Sequence, residues 1–396
     1  MVTALSIYRG GKKILIGGGH IEQEFTGSRH VFIVCDPFIE RSGTVRYLTD
    51  RLDRIKVAYT VYSDVEPDPG TELVARGIFS LAEVQPDVLV GFGGGSAIDA
   101  CKAMMFFAEK ERIIGECRFI AIPTTSGTGS EVTDFSVISD KEKEIKYPLI
   151  APELLPDTAI LDAELTMSVP PEITANTGMD VLTHAIEATV STNAGDFSDA
   201  MAEKAIKLVR SNLITAYKNP GDRAARQAMH NASCMAGIAF NNAGLGLNHG
   251  MAHALGAHFH VPHGKANAIL LPYVTGFNAG CFDNLTEHAK KYAKIARLIH
   301  VDAGSIRQSS FNLIRTIKRT NEQLGIPASI MSAGIDRAEF ESQLMRGEVE
   351  VVVDDEEAFG GHVEEPHEPA DRPSRSVHVR IGFREDDLRA GRSPWQ

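Results

Sequence analysis

The chain has 396 residues, 43% of them apolar, with a formal net charge of −12 and five scattered cysteines. That length suggests two domains, each able to bury a core. The acidic balance argues against nucleic-acid binding, which needs a basic stripe, and no apolar run approaches the roughly 20 residues of a membrane helix.

The N-terminus lacks a basic region followed by an apolar core, so no secretory signal is expected. Five cysteines without a C-x-x-C pair read as reduced thiols in a cytoplasmic protein. Residues 31–35 (V-F-I-V-C) form a short β-rich run ending at Asp36. A helix is expected over about 39–52, a strand over 56–62, a turn at 66–70 and a helix over 71–83. Strands follow at 88–90 and 119–122. Strands alternating with helices imply parallel βαβ units in an open sheet. Such sheets bind ligands at the carboxyl ends of their strands.

The strand at 88–90 runs into Gly91-Phe92-Gly93-Gly94-Gly95-Ser96 ahead of a helix. Glycines there let backbone N–H groups close on an anion at a helix N-terminus. The run is not a full dinucleotide fingerprint, because Ser96 stands where the last glycine belongs. The acidic ribose partner should also follow by about 20 residues; Asp36 precedes. The strand at 119–122 ends in P-T-T-S-G-T-G-S-E, a loop of hydroxyls and glycines. Each loop alone also reads as an ordinary turn. Two of them on neighbouring strand ends point to a nucleotide. Lys146 reads either as facing that nucleotide or as solvated.

Residues 157–162 are a last strand-like piece, and Pro170-Pro171 suit a helix start. The pattern is helical from there to about 343, broken near Gly195, Gly221, Gly304 and Gly325. The expected organisation is an α/β dinucleotide-binding domain with a parallel sheet over 1–165, an all-helical metal-binding domain over 166–345 and an atypical tail over 346–396. No lysine follows Lys318, and the tail is rich in Glu, Asp, Arg, Pro and Gly. It reads as poorly ordered. A reading-frame change near codon 345 would account for it.

Five of the 14 histidines fall between His249 and His263. His249 and His253 are four apart, on one helical face. His263 opens a P-H-G turn that can return over the helix end. Upstream, Asp180 and His184 have the same spacing. Two such helices can close a cage of one carboxylate and up to three imidazoles. Nitrogen and oxygen donors without sulfur suit Fe(II), Zn(II), Co(II) or Ni(II) and do not choose among them. The alternative is that these are satisfied core or surface histidines.

The motifs G-F-G-G-G-S-A-I-D-A-C-K-A, I-P-T-T-S-G-T-G-S-E-V-T, T-G-M-D-V-L-T-H-A-I-E-A and G-L-N-H-G-M-A-H-A-L-G with V-P-H-G-K-A-N-A-I occur in order. In these the chain resembles the iron-containing (group III) alcohol dehydrogenases, from about residue 7 to about 340. The resemblance implies Asp180, His184, His249 and His263 as ligands of one divalent metal, Fe(II) or Zn(II). It places His253 in the substrate cleft as the catalytic proton carrier. It implies NAD(H) at Asp36, Gly94, Gly95, Ser96, Asp99, Thr124, Thr125, Thr128 and Lys146. Glu187 reads as supporting the metal site. The tail lacks the helices with which that family ends.

The implied reaction interconverts a short-chain aldehyde such as propionaldehyde and its primary alcohol. Lactaldehyde, 1,3-propanediol and glycerol are alternative substrates of the same chemistry. A rival is the dehydroquinate synthase type, whose phosphorylated acid substrate needs several Lys and Arg near the metal; here only Lys265 is close. A second rival is a non-catalytic shell component. The resemblance also implies a homodimer and possible microcompartment association.

Overall fold

The computed structural model describes residues 8–10, 12–140 and 145–340, with two short strands at 351–353 and 377–379. The rest of the tail expected from 346 lies outside the described residues. The α/β part contains β1 (Tyr8–Gly10), β2 (Lys12–Ile16), α1 (Ile21–Phe25), β3 (His30–Val34), α2 (Pro37–Arg41), α3 (Arg46–Arg54), β4 (Ala58–Tyr62), α4 (Thr71–Val84), β5 (Val88–Gly93), α5 (Gly95–Lys110) and β6 (Arg118–Pro123). A hairpin of β7 (Phe135–Asp140) and β8 (Ile145–Ile150) precedes β9 (Thr158–Leu161). Strand order is β1-β2-β9-β6-β5-β3-β4, parallel from β2 onward.

The β-rich runs form strands because each apolar alternation feeds two covered faces. Phe32, Leu89 and Phe119 pack on α4 and α5 through Leu81, Ile98 and Met104. Their neighbours Ile33, Val90 and Ile120 pack on α1 and α3 through Phe25, Leu48 and Leu52. β4 and β5 flank β3 on opposite sides. The chain reverses its winding there, which opens a crevice at the carboxyl ends of β3 and β5. The single helix expected over 39–52 is two, because Gly43 at φ +77 interrupts it.

The helical part contains α6 (Pro171–Val190), α7 (Asp196–Lys218), α8 (Arg223–Ala243), α9 (Leu247–Phe259), α10 (His263–Asn278), α11 (Ala289–Leu298) and α12 (Ile306–Gln323). No helix among the described residues is long and apolar enough to cross a membrane. α6 is the centre, wrapped by α7, α8 and α10. Its Met179 and Ile186 join Ile206, Leu213, Met229 and Ile269 in one core. Full burial of such side chains contributes roughly 1.5–3 kcal/mol each, so the helix carrying Asp180 and His184 is held firmly.

One contact fixes the hairpin within the α/β part, and a second joins that part to the helical one. Lys102, wholly buried on α5, donates to Thr133 O at 2.8 Å, Thr133 Oγ1 at 3.1 Å and Phe135 O at 2.9 Å. Burial lowers its pKa to about 8, against the pull of Asp99 and Glu131. The second contact is backbone on backbone. A Cβ on Gly237 of α8 would lie 2.7 Å from Val132 Cγ2 and 3.0 Å from Gly129 Cα. Only glycine lets α8 approach the loop after β6 this closely. Gly237→Val should therefore cost about 1–3 kcal/mol, as overpacking does. The measurement is the urea midpoint; a wild-type midpoint would show the seam to be compliant.

Candidate metal centre

Three helices build the cage. Asp180 and His184 share a face of α6, His249 stands on α9 and His263 opens α10. The P-H-G turn needs its glycine, since a Cβ on Gly264 would lie 2.4 Å from Asn176 O on α6. Ligand atoms of the four residues all lie within 4.8 Å of one another. His249 Nε2 and His263 Nε2 are each 3.6 Å from Asp180 Oδ1. The rings of His184 and His249 stack at 4.5 Å, and Phe240 stacks on His184 at 4.4 Å. Glu187 Oε2 meets His249 Nδ1, and Glu187 Oε1 accepts from Asn248 N at 2.7 Å. That contact puts the Nδ1 proton toward Glu187 and leaves Nε2 facing the cage.

The electrostatics are those of a cation site. Burial alone would raise the Asp180 carboxyl, but His184, His263 and His249 around it outweigh this and hold it well below the usual carboxylate range. Burial pushes His184 down to about 3; Asp180 opposes, while His249 and His263 add. His249 moves the other way, up to about 9, because Glu187 and Asp180 overcome the cost of its burial. Asn267 Nδ2 donates to Asp180 Oδ1 at 2.6 Å and lies 3.0 and 3.2 Å from His249 Nε2 and His263 Nε2. One carboxylate and several lone pairs around one point fit a divalent ion of borderline softness.

The sequence-predicted nucleotide residues gather at the crevice. Asp36 ends β3 and caps α2; its Oδ1 accepts from Phe38 N at 2.8 Å and Ile39 N at 3.0 Å. A Cβ on Gly93 would lie 3.6 Å from Asp36 Oδ2, so that oxygen faces the glycine loop. Gly94 caps α5, and Gly95 and Ser96 form its first turn. Gly94 faces Thr125 and Gly95 packs on Thr128. Thr124 N donates to Gly93 O at 2.9 Å, which zips the two loops together. Asp99 turns inward instead. It accepts from Ser130 Oγ at 2.5 Å and Val137 N at 3.1 Å, so it braces the threonine loop. Lys146 lies in β8 opposite Ser139; its side chain is outside the described residues. His253 is exposed one turn after His249, its ring stacked 5.0 Å from His263.

Sequence reasoning missed Asn248 and Asn267, both wholly buried against the cage. The spacing of Asn267, four residues after His263, was the available signal. It also missed His230 of α8, whose Nδ1 pairs with Ser126 Oγ at 3.0 Å and ties the threonine loop to the helical part. No pattern marks that pair, since it spans 104 residues.

With this geometry in place, the comparisons are direct. The chain matches the iron-containing alcohol dehydrogenase domain over residues 12–163 and the C-terminal domain of the Fe-containing alcohol dehydrogenase family over 174–349. The chain belongs to the iron-containing alcohol dehydrogenase family. It is 49% identical over 304 residues to a 1-propanol dehydrogenase of Citrobacter freundii, covering 76% of this chain and 80% of that one. It is 39% identical over 349 residues to an NADPH-dependent butanol dehydrogenase of Clostridium saccharobutylicum, covering 84% and 88%. Among solved structures, an iron-containing alcohol dehydrogenase of Thermococcus thioreducens superposes with a TM-score of 0.76 at 36% identity, covering 85% and 90%.

The buried imidazoles predict a pH dependence. Burial lowers His230 from its ordinary 6.5 to about 4. The unfolded chain takes up this proton as pH falls through 6.5, whereas the folded chain resists until about 4. The contribution to stability is therefore complete above 6.5 and is lost as pH falls toward 4. His230→Asn should flatten the slope of unfolding free energy in that window, read from urea melts at several pH values. An unchanged slope would mean that His230 is not held neutral.

Proposed function

We propose that this protein is an NAD(H)-dependent, metal-dependent alcohol dehydrogenase that interconverts a short-chain aldehyde, propionaldehyde or a close relative, with its primary alcohol. The observation that carries the reading is the cage of buried Asp180, His184 and His249 with the more open His263. A divalent ion held there, iron by kinship, supplies a Lewis acid for the substrate oxygen, and the nicotinamide carries the hydride.

The chain's own residues do the rest. Asp180 keeps a fixed negative charge, and Glu187 holds the orientation of His249. Gly94, Gly95 and Ser96 offer backbone N–H groups and a helix N-terminus to the diphosphate. Thr124, Thr125 and Thr128 supply hydroxyls beside them, and Lys146 belongs to the same cofactor site. Asp99 acts on that site through the Ser130 loop. Asp36 keeps Oδ2 for the adenosine ribose and repels a 2′-phosphate, which favours NAD over NADP. Exposed His253 holds and releases the proton exchanged with solvent. The flanks of the histidines are Ala, Leu, Gly, Met and Phe, with only Lys265 close, which suits a small, weakly polar substrate. By kinship alone the reading extends to a cytoplasmic homodimer that can associate with a microcompartment.

The test is NADH oxidation with propionaldehyde by metal-stripped protein, with and without Fe(II) under anaerobic conditions. Activity should return with the metal and be absent in His249→Ala. Protein that binds NADH yet turns over no aldehyde with any divalent metal would overturn the reading. Asp36→Gly should shift the ratio of kcat/KM for NADH and NADPH toward NADPH; an unchanged ratio would remove Asp36 from the ribose site.

A further inference from the structure

The cage is closed by two amides outside its ligand set. Asn267 stands one helical turn after His263 on α10, and Asn248 directly precedes His249 on α9. Both are completely buried. Asn248 Nδ2 donates to Asn267 Oδ1 at 2.8 Å and lies 3.2 Å from Asn267 O. That contact orients the Asn267 amide: its oxygen faces Asn248 and its nitrogen faces the cage, 2.6 Å from Asp180 Oδ1. Asn248 N in turn donates to Glu187 Oε1, and Glu187 Oε2 meets His249 Nδ1. His249 Nε2 returns to within 3.6 Å of Asp180 Oδ1. Asp180, Asn267, Asn248, Glu187 and His249 thus form a closed ring across α6, α9 and α10.

We propose that Asn267 is a positioning residue for the Asp180 ligand, and that Asn248 locks the Asn267 amide in the orientation that does so. This rests on the metal-site reading above. A neutral N–H donor is what the position requires. It holds one carboxylate oxygen in place and leaves the carboxylate's charge for a cation. A lysine there would neutralise Asp180 and exclude the ion; an aspartate would repel its carboxylate; an apolar residue would leave the buried carboxylate short of a donor. Asn267 Nδ2 also lies 3.0 Å from His249 Nε2 and 3.2 Å from His263 Nε2. The amide therefore touches both imidazoles as well as the carboxylate.

The experiment is Co(II) binding to metal-stripped full-length protein. Affinity is read by competition with a chelator and geometry by the visible absorption of the bound ion; NADH fluorescence serves as the control for folding. Asn267→Ala should weaken Co(II) binding about 10–100-fold, as loss of a partner behind a metal ligand does, and alter the absorption, while NADH binding stays at the wild-type level. Asn248→Ala should give a smaller loss. The double variant should match Asn267→Ala alone, because Asn248 acts through Asn267. Wild-type affinity and spectrum in Asn267→Ala would overturn the proposal, as would losses that multiply in the double variant. If Asn267→Ala does not fold, Asn248→Ala decides alone, and wild-type affinity there overturns the ring. Failure of the metal reading itself looks different: His249→Ala would bind Co(II) as tightly as the wild type.

Discussion

One ionised carboxylate, Asp180, sits wholly inside the helical part with imidazoles around it. Burying such a charge without compensation costs several kcal/mol. The fold must therefore bring His184, His249 and His263 to it, and much of the helical architecture follows from that need. α6 carries two of the four groups and is the most enclosed helix. α9 and α10 are joined by a short turn whose glycine lets α10 press on α6. Glu187 meets His249 Nδ1 and Asn267 donates to Asp180 Oδ1, so two of the four groups are held from behind.

The second constraint is the relation between this cage and the crevice at the carboxyl ends of β3 and β5. α8 carries it. Gly237 lets the helix meet the loop after β6 backbone to backbone, and His230 holds Ser126 of the same loop. The buried Lys102 draws the start of the β7–β8 hairpin onto α5. The threonine loop after β6 is thus braced by α8, which packs on the cage helix α6. Hydride transfer needs its partners placed to within a fraction of an ångström, and rigid contacts between the two parts are the structural answer.

Much of this was legible in the sequence. The strands β3, β5, β6 and β9 announce themselves as apolar runs ended by turn residues, because strands covered on both faces must be continuously apolar. The i, i+4 pair in T-G-M-D-V-L-T-H shows that Asp180 and His184 share a face, because helix geometry fixes that spacing. Other features gave no local signal. The hairpin β7–β8 mixes polar and apolar residues and is held partly by a lysine from α5. The helix over 39–52 breaks at Gly43 through a positive φ that periodicity does not report. Asp99 lies in the glycine-loop motif, yet its carboxylate turns to Ser130 and Val137.

The sequence by itself determined which side chains are available: a carboxylate and a dense set of imidazoles on helices, two hydroxyl- and glycine-rich loops at strand ends, and no thiolate partners. Those depend on composition and short-range periodicity, which the chain carries whatever its fold. Only the tertiary structure decided that Asp180, His184, His249 and His263 meet within one small volume, with His253 outside it in the open. It alone selected Asn248 and Asn267 from the many asparagines as partners of the cage. Such choices depend on how α6, α9 and α10 pack, and packing is set by contacts between residues far apart in the chain.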